Sequence, residues 1–204
     1  MALSLTSAPA TEPVTLAEAK DHLRVFHGDD DSYISNFVIP AARVWAETVT
    51  HRAFITQTWV LKLNGFGCGG PIYLPRPPLV SITTITYTDT AGTAGTAWAA
   101  SSSGYTLEQP SGEHALHASI RPSYSVSYPS TRDIVDSVVI TYVAGYGAAS
   151  TVPKGIKHGM LMVMDDLYRQ RGSQVTGTIQ TRALVAAESL LSPFIAHRYD
   201  LRYD

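Results

Sequence analysis

The chain has 204 residues, 45% hydrophobic and 16% charged, enough for one generous domain or two small ones whose core needs no staples. Fifteen basic against seventeen acidic side chains leave a net charge of −2, which excludes a global basic field for holding nucleic acid, though not a local patch. The single cysteine, Cys68, excludes an internal disulfide and a cysteine-built zinc centre, and no run of about 18 apolar residues exists to span a membrane.

Residues 1–12 lack the basic start and apolar centre of a secretion signal and read as a flexible arm of a soluble, cytoplasmic chain. Thr15 followed by Glu18 forms a capping-box pattern, and Leu16, Ala19, Leu23 and Phe26 then recur at helical spacing. This predicts a short amphipathic helix ending before Gly28. Asp29, Asp30 and Asp31 suit the N-terminus of a second helix. Its apolar face runs through Tyr33, Phe37, Val38, Ala41, Val44 and Thr48, and Pro40 is expected to bend this helix without ending it.

From about residue 54 to 143 the pattern becomes one of β-branched alternation broken by glycine, proline and serine clusters. Six strands are expected, in "ITQTWVLKLNGF", "PIYL", "LVSITTITYTD", "GYTLEQ", "HALHASI" and "DSVVITYVAGY". They would form an antiparallel sheet or small barrel. Helix returns at Pro153, with Ile156, Met160, Val163, Met164 and Leu167 on one face. After the polar stretch "RGSQVTGTIQ" a last short helix is interrupted near Pro193. Two helices, a strand block and two helices do not alternate as a doubly wound sheet does. The predicted fold is α+β: a helical bundle with an inserted antiparallel β-rich domain. The expected divisions are an arm at 1–12, a helical pair at 13–53, the insert at 54–145, a second helical pair at 146–192 and a tail at 193–204.

The motifs do not assemble a reactive centre. Gly145-Tyr146-Gly147 resembles a dinucleotide loop only in part, because the helix that should begin at Gly147 starts six positions later, at Pro153. These glycines are better read as the end of a strand. His114 and His117 point to opposite faces if extended, and His22, His27 and His51 have no carboxylate at metal spacing. Helix capping and solvation account for the aspartate run. No HExxH, GxSxG or P-loop occurs. The expectation is no enzyme, no cofactor and no metal. A small hydrolase or carbohydrate-binding module built on the β-block would need a pocket gathering His or carboxylate groups. What stands out is the tail, where Phe194, Tyr199 and Tyr203 accompany Arg198 and Arg202, the residue types that anchor interfaces.

Taken in order, these stretches resemble the head–tail connector (adaptor) proteins of long-tailed bacteriophages and gene transfer agents. The similarity covers residues 12 to 196. It is carried by "PVTLAEAKDHLRV", "DDDSYISNFVIPAARVWAETVTHRAF", "LPRPPLVSITTITYTD", "VVITYVAGYG", "VPKGIKHGMLMVMDDLYRQRG" and "ESLLSPF". The resemblance implies a virion protein at the head–tail junction, assembled in the host cytoplasm. It implies a ring, usually of twelve copies, under a portal protein. That ring extends the DNA channel without binding DNA specifically and receives stopper or tail-side proteins. It also implies portal docking by the C-terminal segment, here Phe194, Arg198, Tyr199, Arg202 and Tyr203, so that truncation after Leu191 should spare folding. Arg52, Arg76, Arg121 and Arg132 could then face the lumen. A head-stopper or tail-completion protein is the alternative.

Overall fold

The structure, a computed structural model, describes residues 1–67, 69–169 and 181–197. It is an α+β protein, and every pair of its strands runs antiparallel. The chain divides into two compact units. One is built mainly from Met1–Pro9 and Thr56–Gly145, the other from Ala10–Ile55 and Tyr146–Ile195. The strand-rich segment thus falls, in sequence, between the two halves of the helical unit.

The strand-rich unit holds two sheets. β1 (Ala2–Ser7), β2 (Gln57–Leu63), β4 (Leu79–Tyr87), β5 (Thr96–Ala97) and β8 (Val138–Ala144) form a five-stranded sheet in the order β1-β2-β8-β4-β5. β3 (Ile72–Leu74), β6 (Tyr105–Glu108) and β7 (Ala118–Pro122) form a second sheet in the order β3-β7-β6. β2 and β8 are central, and their register sets Leu61 opposite Ile140 and Leu63 opposite Val138, all four buried. Period-two alternation along β8 therefore buries Val138, Ile140, Tyr142 and Ala144. All six expected strands are present, in two sheets.

Two further strands depart from expectation. β5 is only two residues long, too short for any alternation to show. β1 corrects the flexible arm: residues 2–7 pair along β2 from Ala2 opposite Lys62 to Ser7 opposite Thr58. The alternation of Leu3 and Leu5 with small hydroxyl residues is what permits it.

In the helical unit, α1 (Leu16–Leu23) begins with the expected capping box. The Thr15 hydroxyl accepts the Glu18 N–H at 3.2 Å, and the Glu18 carboxylate accepts the Thr15 N–H at 2.7 Å. Arg24, in the left-handed region at φ 56°, ends it. The second helical stretch comprises α2 (Asp31–Tyr33), a π segment (Ile34–Val38) and α3 (Ile39–Thr50). Pro40 has no N–H to give Asn36, and its ring would crowd that carbonyl. The chain widens to π just before it, with the Ile39 N–H donating to the Ile34 carbonyl.

α4 (Lys154–Arg169) and α5 (Thr181–Leu191) supply the rest, α5 running into a 3-10 turn at Ser192–Phe194. The core of this unit gathers Val14, Ile34, Phe54, Met160, Met164 and Leu191 with their neighbours. Among the described residues no helix is long and apolar enough to cross a membrane.

Candidate assembly surfaces

The segment from α5 to Phe194 is held by α4, and glycine is the reason it can lie so close. A Cβ on Gly155 would come within 2.9 Å of the Phe194 ring, and one on Gly159 within 3.1 Å of Leu191. These glycines, four apart, lie on one face of the helix. Phe194 is 7% exposed and belongs to the core. Beneath it lies Arg52, 1% exposed, whose Nε–H donates to the Phe194 carbonyl. Burial pushes the Arg52 pKa down, and a hydrogen bond with Tyr146 opposes that.

Two expectations are corrected here. Phe194 is a core residue and not part of an exposed tail, because its ring fills the space Gly155 leaves. Arg52 is buried and lines no open surface. Truncation after Leu191 would remove the Phe194 ring and the carbonyl that Arg52 serves, so it would not spare the fold. Arg198, Tyr199, Arg202 and Tyr203, like Cys68, lie outside the described residues.

The acidic run tethers distant parts of the helical unit. Asp30 accepts from the Tyr168 hydroxyl at 2.5 Å, and Asp31 pairs with Lys20 at 2.5 Å. Asp30 occupies the N-cap position of α2 without a side-chain cap bond, so tertiary pairing replaces the expected capping. Nearby in sequence, Arg43 bridges Glu12 at 2.8 Å and Glu47 at 3.0 Å, and Glu47 also accepts the Phe54 N–H at 2.9 Å. Burial alone would lower the Arg43 pKa; the two carboxylates outweigh it and raise it. Such a network fixes geometry more than it adds stability.

In the strand-rich unit Gly145 follows directly on β8. Its N–H donates to the Pro78 carbonyl at 2.9 Å. Gly145 and Gly147 have φ of 131° and 110°, and a 3-10 turn at Ala149–Thr151 precedes α4. The pair turns the chain, as expected, and no helix begins at the second glycine. Phe66, Tyr87, Trp98, Tyr105 and Tyr128 form an aromatic cluster with ring centroids 4.9–5.8 Å apart. Desolvation there pushes the Tyr128 pKa up to about 12.

Beside this cluster lies an open recess of about 560 Å³ lined by Ala100, Ser101, Ser102, Tyr105, Thr106, Ser123 and Tyr124. It gathers hydroxyls, and neither His nor carboxylate lines it. His114 and His117 precede β7 and are not in a strand. Arg76 sits over the Trp59 ring at 5.4 Å, and Arg121 lies 3.8 Å from Glu108. Among the described residues no three His, Cys, Asp or Glu side chains are placed to hold a metal ion.

Exposed apolar groups occur on both units, some of them on regular elements. On the helical stretch Phe37 is 65% and Val44 53% exposed, while Val38 and Ala42 of the same stretch are buried. In the five-stranded sheet the outer strand β1 is exposed along most of its length, with Leu5 at 45%.

No family model matches the chain, and no curated protein matches it. Solved structures do. A chain in the "Virion of native gene transfer agent (GTA) particle" superposes with a TM-score of 0.78 at 21% identity, each chain covered over 100% of its length. Chains in the "Neck of empty GTA particle computed with C6 symmetry" and the "Neck of native GTA particle computed with C12 symmetry" give 0.78 at 21% and 0.75 at 20%, again with complete coverage of both. At such identity the likeness establishes a shared fold.

Proposed function

We propose that this chain is a structural connector of a phage-like or gene-transfer particle. It forms a ring under the portal, extends the DNA channel and joins the head to tail-side proteins. The single observation that carries this is the end-to-end match with chains of particle necks reconstructed with C6 and C12 symmetry. A fold shared over the full length of both chains supports a shared place in the particle. The near-neutral chain suits a channel through which DNA slides, since each phosphate neutralised would add binding strength. In this reading the C-terminal segment docks on the portal, as the aromatic and basic composition of residues 198–204 suits. Arg198, Tyr199, Arg202 and Tyr203 are then the side chains offered to the portal.

The test is reconstruction of the head–tail junction in particles carrying this chain, together with a variant truncated after His197. A ring of this chain directly below the portal is the expected density, and the truncated chain should fold normally yet lose portal binding. Unaltered portal binding would remove the tail from the proposal. Density on the tail side, away from the portal, would favour a head-stopper or tail-completion protein instead.

A further inference from the structure

Among the described residues the five-stranded sheet leaves two edge stretches unpaired, and neither is blunted by charge or proline. Edge strands are usually blunted by charge, proline or a covering segment, because their unpaired N–H and C=O groups invite another strand. Among the described residues β1 pairs with β2 alone; it contains no charged residue and no proline, and is regular over residues 2–5 before its register shifts between Leu5 and Ser7. At the far end, β4 also has no charge, and its register against β8 shifts between Leu79 and Ser81 and again between Ile82 and Thr84. β5 covers its Thr86 and Tyr87, the Trp98 N–H donates to the Ile85 carbonyl at 2.9 Å, and the Gln109 side-chain amide donates to the carbonyls of Leu79 and Val80 at 2.8 and 3.2 Å. Among the described residues this leaves residues 81–84 open, with Ser81, Thr83 and Thr84 exposed. The two open stretches are each four residues long and uncharged, and the strand order sets them at opposite ends of one sheet.

A cyclic ring requires two different, mutually fitting surfaces on each copy. Resting on the ring proposed above, we infer that the β1 edge of one copy pairs with residues 81–84 of β4 in the next, joining neighbouring sheets head to tail. The occupant is a second copy because a ring repeats both edges on every copy, one at each end of the sheet. Neither carries a charge that would select a basic or acidic partner. Backbone pairing gives adhesion without side-chain charge, as in other strand-addition interfaces.

The test is cysteine cross-linking in assembled particles, in a Cys68→Ser background. Each of residues 2–5 is replaced by cysteine in combination with each of residues 81–84, which covers every register. Within one copy the two edges are three strand spacings apart, about 14 Å, beyond the Cα separation of about 7 Å that a disulfide tolerates. Any bond must therefore join two copies. The expected result is a ladder of disulfide-linked multimers that needs both cysteines, with either cysteine alone giving at most a dimer. Particles whose neck contains the chain but whose pairs all stay monomeric, or stop at a dimer, would overturn the edge pairing and leave the connector role standing. Absence of the chain from the neck would overturn both.

Discussion

β1 and the stretch from α5 to Phe194 are both outlying pieces of the chain, and they are held by opposite means. β1 is fastened by backbone pairing to β2 while most of its side chains remain exposed. Leu191 and Phe194 are fastened by side-chain burial against Gly159 and Gly155, with Arg52 donating to a backbone carbonyl from below. A piece held by its backbone can be removed with little loss of core, whereas a piece held by buried rings cannot. That difference separates an element available to a neighbour from one the fold needs for itself.

The largest effect expected is from Phe194→Ala, which should lower unfolding stability by about 3–5 kcal/mol in denaturant titration, as for other buried aromatic truncations. Gly155→Ala should cost about 1–3 kcal/mol by overpacking, and most of that should vanish in the Phe194→Ala background, since the two positions are coupled. Additive losses would mean that Phe194 is not seated on Gly155. Next comes Arg52→Met, expected to cost about 2 kcal/mol because the Phe194 carbonyl loses a charged donor. Amide exchange should then rise first in α5.

A smaller, pH-dependent effect belongs to the α1 cap. The Thr15 backbone N–H, aided by the Thr15 hydroxyl and Lys157, holds the Glu18 carboxyl below its ordinary range. A depressed folded-state pKa means that the contribution is complete above the unfolded value of about 4.3 and is lost as pH falls through the folded one. Wild type should therefore lose stability below about pH 4 more steeply than Glu18→Gln, as thermal melts across that range would register. Parallel acid limbs would show the cap to be electrostatically idle. The smallest effect is reserved for the other end of the comparison. Deleting residues 1–7 should cost about 1 kcal/mol or less, with the remaining strands unchanged in amide exchange. A loss of several kcal/mol would mean that β1 is as integral as Phe194.

Much of this architecture was legible because local patterns carry it. Thr15 and Glu18 announce the cap, Pro40 sits inside a periodicity that runs through it, and alternation marks β2 and β8. The misreadings share a cause. β1 offers two leucines among serines and threonines, a pattern that becomes a strand only when β2 presents an edge fifty residues on. Phe194 follows Pro193 and precedes an aromatic-basic tail, so its composition suggested a surface. Only the space left by Gly155 makes it a core residue, with Leu191 over Gly159 beside it, and the spacing of the two glycines was the one available hint. Arg52 is a charged residue whose burial depends on a carbonyl from residue 194. The acidic residues looked like a cap because helix ends favour them, and Tyr168 and Lys20 could be identified as partners only once the helices had met. Pairings across such separations leave no local signature.

Gly155 and Gly159 also bear on the order in which the molecule comes into being. Each glycine weakens the intrinsic preference of α4 for helix by about 1 kcal/mol, so that helix leans on Leu191 and Phe194 to complete its packing. During synthesis, residues 10–55 emerge from the ribosome long before either of those side chains exists, and Thr56–Gly145 follows in between. The strand-rich unit can mature while the nascent helices wait. The helical unit closes only when translation has passed Phe194.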